Sequence, residues 1–481
     1  MTMTQPSSRP IAGQPNGLPE NPARALAGSY SLRVIVFLLA HMPLAYAMES
    51  AWPIATAHAL LTTLVGVVWA LMGRTQRTIY VLGYIVGCEV LWRMSEARVF
   101  WEYGKYAIVL VAVVALAAEW RRAGGRLRAI APVLVLVAIV PAVVLTALDR
   151  SPAVAFDQIS FNLSAYLALS VVGLYLWARP VDRQTTAGLL LALLAPIGGV
   201  LFLATYSTVS QFGVDTFVGA SSWVRSGDFG ANQVANVLSL GALAGIILLI
   251  ILPRARAARV LIVHFNEEPY GLVILTFSRG GVYSFVLAGL AFGLHLLRTP
   301  GARGRFILLM AAFVALVFGA IYPWLNDLST GAVTARFQDL DTTGRLQLAE
   351  ADLLAFRDSP LLGVRLGGST AYHEDVFGEP VGTHTEFTRL LAEHGVFGII
   401  IIVLILWMLL KRYIANWPGL ARALSAAMAI WSLSIMAHSA TRIVAIPFTL
   451  ALALVAWQLE QAPADADADI DLLTVGTHHD D

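Results

Sequence analysis

The sequence has little charge and almost no cysteine or lysine. Only 13% of its 481 residues are Asp, Glu, Lys or Arg, whereas soluble domains carry roughly a quarter, so a freely soluble enzyme is excluded. A single cysteine, Cys88, sits in an apolar run and excludes both a disulfide framework and a thiolate metal site. The formal net charge of +1 excludes the basic domain that a nucleic-acid partner would need. Lys105 and Lys411 are the only lysines among 32 basic residues, which reflects composition and carries no chemistry. No internal repeat is visible, although secondary transporters often show one. The predicted outer loops hold no obvious Asp-x-Asp metal motif. Asp339 and Asp341 have that spacing, as do aspartates of the C-terminal tail, which is assigned to the cytoplasm.

Apolar runs are what the chain has in excess, with 58% hydrophobic residues. A membrane-crossing helix needs about 20 of them. Runs lie near 32–48, 52–72, 78–93, 104–120, 129–148, 160–178 and 185–208, and again near 232–253, 258–277, 281–297, 305–325, 396–411, 418–437 and 443–459. The expected fold is an all-α polytopic membrane protein of about 14 (12–14) transmembrane helices with one large, partly helical periplasmic loop. The ninth run contains His264, Glu267, Glu268 and Pro269. Lipid-facing carboxylates are too costly, so that helix is broken or these residues face a polar interior.

The expected organisation has a disordered cytoplasmic tail (1–30), an N-terminal bundle (31–230) and a core (231–400) that includes the loop 326–395. C-terminal helices (396–459) and a disordered acidic cytoplasmic tail (460–481) follow. With fourteen spans, 20 of the 32 basic residues fall in the tail and loops on the side of the termini, so both termini are expected in the cytoplasm. The loop 326–395 is far longer than ordinary connections. Leu346–Phe356 within it has helical periodicity, with Thr342 or Thr343 as its cap, and a second amphipathic stretch runs from Glu386 to His394.

Three features on the expected outer face carry possible chemistry. Ser278-Arg279-Gly280 places an arginine between two apolar runs; it is either a bidentate clamp for phosphate oxygens or a snorkelling helix-end residue. Asp341-Thr-Thr-Gly344-Arg345 opens the loop helix, where N–H groups and the positive helix end favour an anion, the alternative being a surface arginine. Gly382-Thr-His384-Thr-Glu386-Phe-Thr-Arg389 continues through Glu393-His394-Gly395. A histidine in that setting can accept a hydroxyl proton, or simply cap the helix. Glu89 and Arg93, four apart, read as a structural pair, the alternative being acceptor binding. Phe229-Gly-Ala-Asn232-Gln233 reads as a helix cap, the alternative being a sugar contact.

Taken together, these features resemble the O-antigen ligase and O-antigen polymerase superfamily of bacterial membrane glycosyltransferases, over roughly residues 230–400. The resemblance implies glycan transfer from undecaprenyl diphosphate to an acceptor hydroxyl at the periplasmic face of the inner membrane. The acceptor would be a lipid A core, as in a ligase, or the growing polymer, as in a polymerase. It implies metal-independent chemistry with no cofactor, carried by Arg279, Arg345 and His384. Arg225 in a shorter outer loop is the alternative to Arg279, and Arg225, Ser278, Glu386 and Arg389 are the expected substrate contacts. A lipid-linked sugar transporter is the competing class, disfavoured because the polar residues gather in one large loop.

Overall fold

The computed structural model describes residues 22–123, 128–210, 229–252, 279–298 and 344–459, with parts of 303–338. The helices are α1 (Pro22–Ser50), α2 (Trp52–Leu71), α3 (Thr75–Met94), α4 (Tyr103–Ala123), α5 (Ala131–Asp149) and α6 (Pro152–Leu176). Strand β1 (Pro180–Asp182), α7 (Arg183–Ser210), α8 (Ala231–Ile251), α9 (Arg279–Leu296) and α10 (Tyr322–Leu328) follow. Then come α11 (Arg345–Asp358), α12 (Ser369–Phe377), α13 (Glu386–His394), α14 (Val396–Ala415), α15 (Leu420–His438), α16 (Ala445–Leu452) and β2 (Ala456–Gln458). Among the described residues nine of these helices are long and apolar enough to cross a membrane. The chain is a helical, multi-pass membrane protein.

Lipid tails are as apolar as leucine, so packing between these helices rests on close approach and on hydrogen bonds. The central helix α7 is almost entirely buried, and α3 lies on it through small residues. A Cβ on Gly87 would sit 2.4 Å from the Leu193 carbonyl oxygen, and one on Gly83 would sit 2.5 Å from a Leu189 methyl.

Two details depart from the sequence reading. The run 443–459 is not one spanning helix: α16 ends after eight residues, and β2 pairs in parallel with β1, Val181 opposite Trp457. Extended backbone at this depth is tolerated because neighbours satisfy it. Leu454 O accepts from Ala178 N at 2.9 Å and from Arg412 Nε at 3.1 Å. Asn416 donates to Val455 O at 3.0 Å and accepts from Trp457 N at 3.2 Å. The α8 entry is capped by Gly230 without a side-chain bond, and Gln233 instead accepts from Arg93 at 2.9 Å.

The start of α9 lies beside the start of α8, since a Cβ on Gly281 would meet the Ala235 carbonyl oxygen at 2.9 Å. Both helices therefore begin at the same end of the bundle. The run 258–277 expected between them, with Glu267 and Glu268, lies outside the described residues, as does part of 305–325.

Candidate active site

Three short helices, α11, α12 and α13, sit at the end of the bundle where α3 stops and α6 starts. They are fixed to α5: Arg365 pairs with Asp149 at 2.5 Å, and Leu366 N donates to Thr146 Oγ1 at 3.0 Å. Inside this unit His373 and Asp352 are both fully buried. His373 Nε2 meets Asp352 Oδ1 at 2.9 Å and Nδ1 meets the Val381 carbonyl at 2.7 Å. Both ring nitrogens thus face oxygen acceptors, an arrangement that suits an imidazolium beside a carboxylate. Burial works against that charge, but the bonds to Asp352 and Val381 raise the His373 pKa. Asp352 takes a further bond from Thr388 at 2.6 Å. The pair thereby ties α11 and α13 to the strand of chain that carries His384.

Helix α13 begins where its sequence pattern predicts, with Thr385 accepting from Thr388 N. Glu386, wholly buried, accepts from the Tyr166 hydroxyl and from Arg389, and it also accepts from Thr441 N at 2.9 Å. Arg389 donates to Asn162 Oδ1 at 2.6 Å. Burial pushes the Glu386 pKa up, but the charge and bonds of Arg389, with those of Tyr166 and Thr441 N–H, hold it below the usual carboxylate value. The structure thus seats Glu386 and Arg389 in an internal network.

His384, half-buried, lies just before α13 among cationic groups. Arg442, in the turn between α15 and α16, donates to the Thr383 carbonyl at 3.4 Å. A Cβ on Gly382 would meet its guanidinium at 2.8 Å. Burial first, then the charges of Arg442 and Arg345, push the His384 pKa down to about 4. The histidine is therefore neutral at physiological pH and available as a proton acceptor. Arg345 opens α11, whose cap is Gly344 in a left-handed conformation (φ 75°) without a side-chain bond. The cap expected of Thr342 or Thr343 falls outside the described residues. Arg279 opens α9, and at its neighbour Gly280 a Cβ would lie 2.2 Å from the His438 ring at the end of α15. His438 in turn sits 3.2 Å from Ser284.

Of the expected site residues, the structure groups His384 with Arg345 and sets Arg279 at the head of the adjoining helix. Arg225 and Ser278 lie outside the described residues. Among the described residues no group of three or more His, Cys, Asp or Glu side chains could hold a metal ion. Residues 270–403 match the family model for O-antigen ligase. Over that segment the chain is similar to O-antigen ligases. No curated protein and no solved structure matches it. The matched segment takes in Arg279, Arg345 and His384 together with Glu386 and Arg389. It stops short of Arg442 and His438, which the sequence reading also missed. Their signal was nonetheless present: His438-Ser-Ala-Thr-Arg442 interrupts two apolar runs, as Ser278-Arg279 does.

Proposed function

We propose that the protein transfers a glycan from undecaprenyl diphosphate to an acceptor hydroxyl at the periplasmic face of the bacterial inner membrane, inverting the anomeric centre and needing no metal. The observation that carries this reading is a neutral His384 set beside fixed guanidinium groups. A diphosphate is a good leaving group, so catalysis chiefly requires positive charge placed where the anion develops as the glycosidic bond breaks. Arg345 and Arg279 supply it, each with planar donors that match phosphate oxygens. His384 takes the proton from the acceptor hydroxyl, which attacks the anomeric carbon opposite the departing diphosphate. The donor's negative charge offsets the cationic field that depresses His384, so the base strengthens once the donor is bound. Glu386 and Arg389, sealed in their network, act here as positioning residues.

The test is transfer by the purified protein in lipid nanodiscs, with undecaprenyl-diphosphate glycan and two acceptors, lipid A core and the growing lipid-linked polymer. The preferred acceptor separates ligase from polymerase. His384→Ala is expected to keep donor binding and to lose about 10²–10⁴-fold in transfer, the usual worth of a general base. A variant that transfers at the normal rate would remove His384 from the chemistry.

A further inference from the structure

The turn between α15 and α16 is held with unusual thoroughness. Thr441 N donates to Glu386 Oε2 at 2.9 Å, and Val444 N donates to Glu89 Oε2 at 2.5 Å. Arg93, paired with Glu89 at 2.9 Å, donates to the Arg442 carbonyl oxygen at 3.2 Å. Two buried carboxylate–arginine pairs from distant parts of the chain thus spend bonds on three residues of the turn, Thr441, Arg442 and Val444. Burying such pairs gains little stability, and their attested use is to fix one conformation. What they fix here is Arg442. Its side chain leaves the turn towards Gly382 and Thr383, with one bond to a backbone carbonyl. Among the described residues no carboxylate lies within ion-pair distance of it. A guanidinium has five N–H donors in a planar fork, and most of those on Arg442 remain available beside His384.

Resting on the glycosyltransferase reading, we propose that Arg442 is a third diphosphate-binding residue, preorganised by the Glu89–Arg93 and Glu386–Arg389 pairs to grip the phosphate oxygens of the lipid-linked donor. It comes from the α15–α16 turn, whereas Arg345 comes from the loop helix α11.

The experiment measures binding of undecaprenyl diphosphate to the full chain in nanodiscs, alongside the pH profile of transfer. Arg442→Gln is expected to weaken binding about 10- to 100-fold, the worth of one or two charge-assisted contacts. Arg442→Lys keeps the charge but loses the fork, and is expected to bind about tenfold more weakly. A structural role alone would not move the acid limb of the pH profile. That limb follows His384, which is faced by Arg442 from the turn, Arg345 from α11, His373 from α12 and His438 from α15. Removing one of these positive charges should shift the limb to higher pH in Arg442→Gln and leave it in place in Arg442→Lys. Should the Gln variant not fold, the Lys variant decides, with unchanged affinity overturning the proposal. Native affinity in Arg442→Gln overturns it equally. If the unaltered protein fails to bind undecaprenyl diphosphate, the glycosyltransferase reading itself falls, and Arg442's role with it.

Discussion

Glu393, on α13, is 2% exposed and poorly compensated. Ser369 donates to one carboxylate oxygen at 3.3 Å, while the other lies 3.8 Å from Arg389 and has no hydrogen bond. Burial pushes its pKa up to about 7, against the pull of Arg389. An acid whose folded pKa is raised contributes stability below its unfolded value, near pH 4.5, and loses it as pH rises to about 7. Glu393→Gln should therefore be more stable than the parent at pH 8, by up to roughly 3 kcal/mol, with the gain vanishing near pH 4. Melting curves of both proteins across that range check this. An advantage that does not change with pH would mean that Glu393 is neutral throughout, or charged throughout. At this scale the sequence showed which residues were unusual but not whom they face. Glu386 and Arg389 enter as substrate contacts only through the family resemblance. Their partners Tyr166 and Asn162 lie more than 200 positions away, and no local pattern announces them.

The helices themselves were legible because lipid imposes a length and a polarity on any span. Apolar runs mark α2, α4, α5, α7, α8, α14 and α15 almost to their ends. The final run misled for a definite reason: hydropathy records the depth of a segment, not its backbone, and Asn416, Arg412 and β1 make extended chain acceptable there. Close approach leaves its own trace, as in Gly83-Tyr-Ile-Val-Gly87 of α3, a spacing that lets two helix backbones meet. Because a Cβ at Gly87 would press on backbone at Leu193 and not on a pliable side chain, Gly87→Ala must part α3 from α7. A loss of about 1–3 kcal/mol, the usual cost of overpacking, is expected in a melt of the purified protein. Since α3 ends in the Glu89–Arg93 pair that holds the α15–α16 turn, transfer activity should fall with it. A Gly87→Ala protein of native stability would mean that the two helices slide apart freely.

Over the whole molecule, charge separates the two ends of the bundle. His384, Arg345, Arg442 and the start of α9 share one end. At the other, Arg122 binds the Leu71 carbonyl, Arg179 and Arg128 share Glu119, Arg183 binds the Ile251 carbonyl, and Arg412 and Arg422 bind the carbonyls of Leu454 and Asn416. These arginines are the ones whose loops carry the basic excess in the sequence, and they cap carbonyls left open where helices end. An excess of Arg and Lys in short loops keeps those loops in the cytoplasm during insertion, which predicts that the site end lies in the periplasm. The chain's one cysteine, Cys88, is buried in α3, so introduced cysteines report on a quiet background. Glu379, exposed after α12, and Trp417, 74% exposed between α14 and α15, mark the two ends. In spheroplasts a membrane-impermeant maleimide should label Glu379→Cys directly, and Trp417→Cys only after permeabilisation. The reverse pattern would put His384, Arg345 and Arg442 on the cytoplasmic side, where the proposed transfer could not take place.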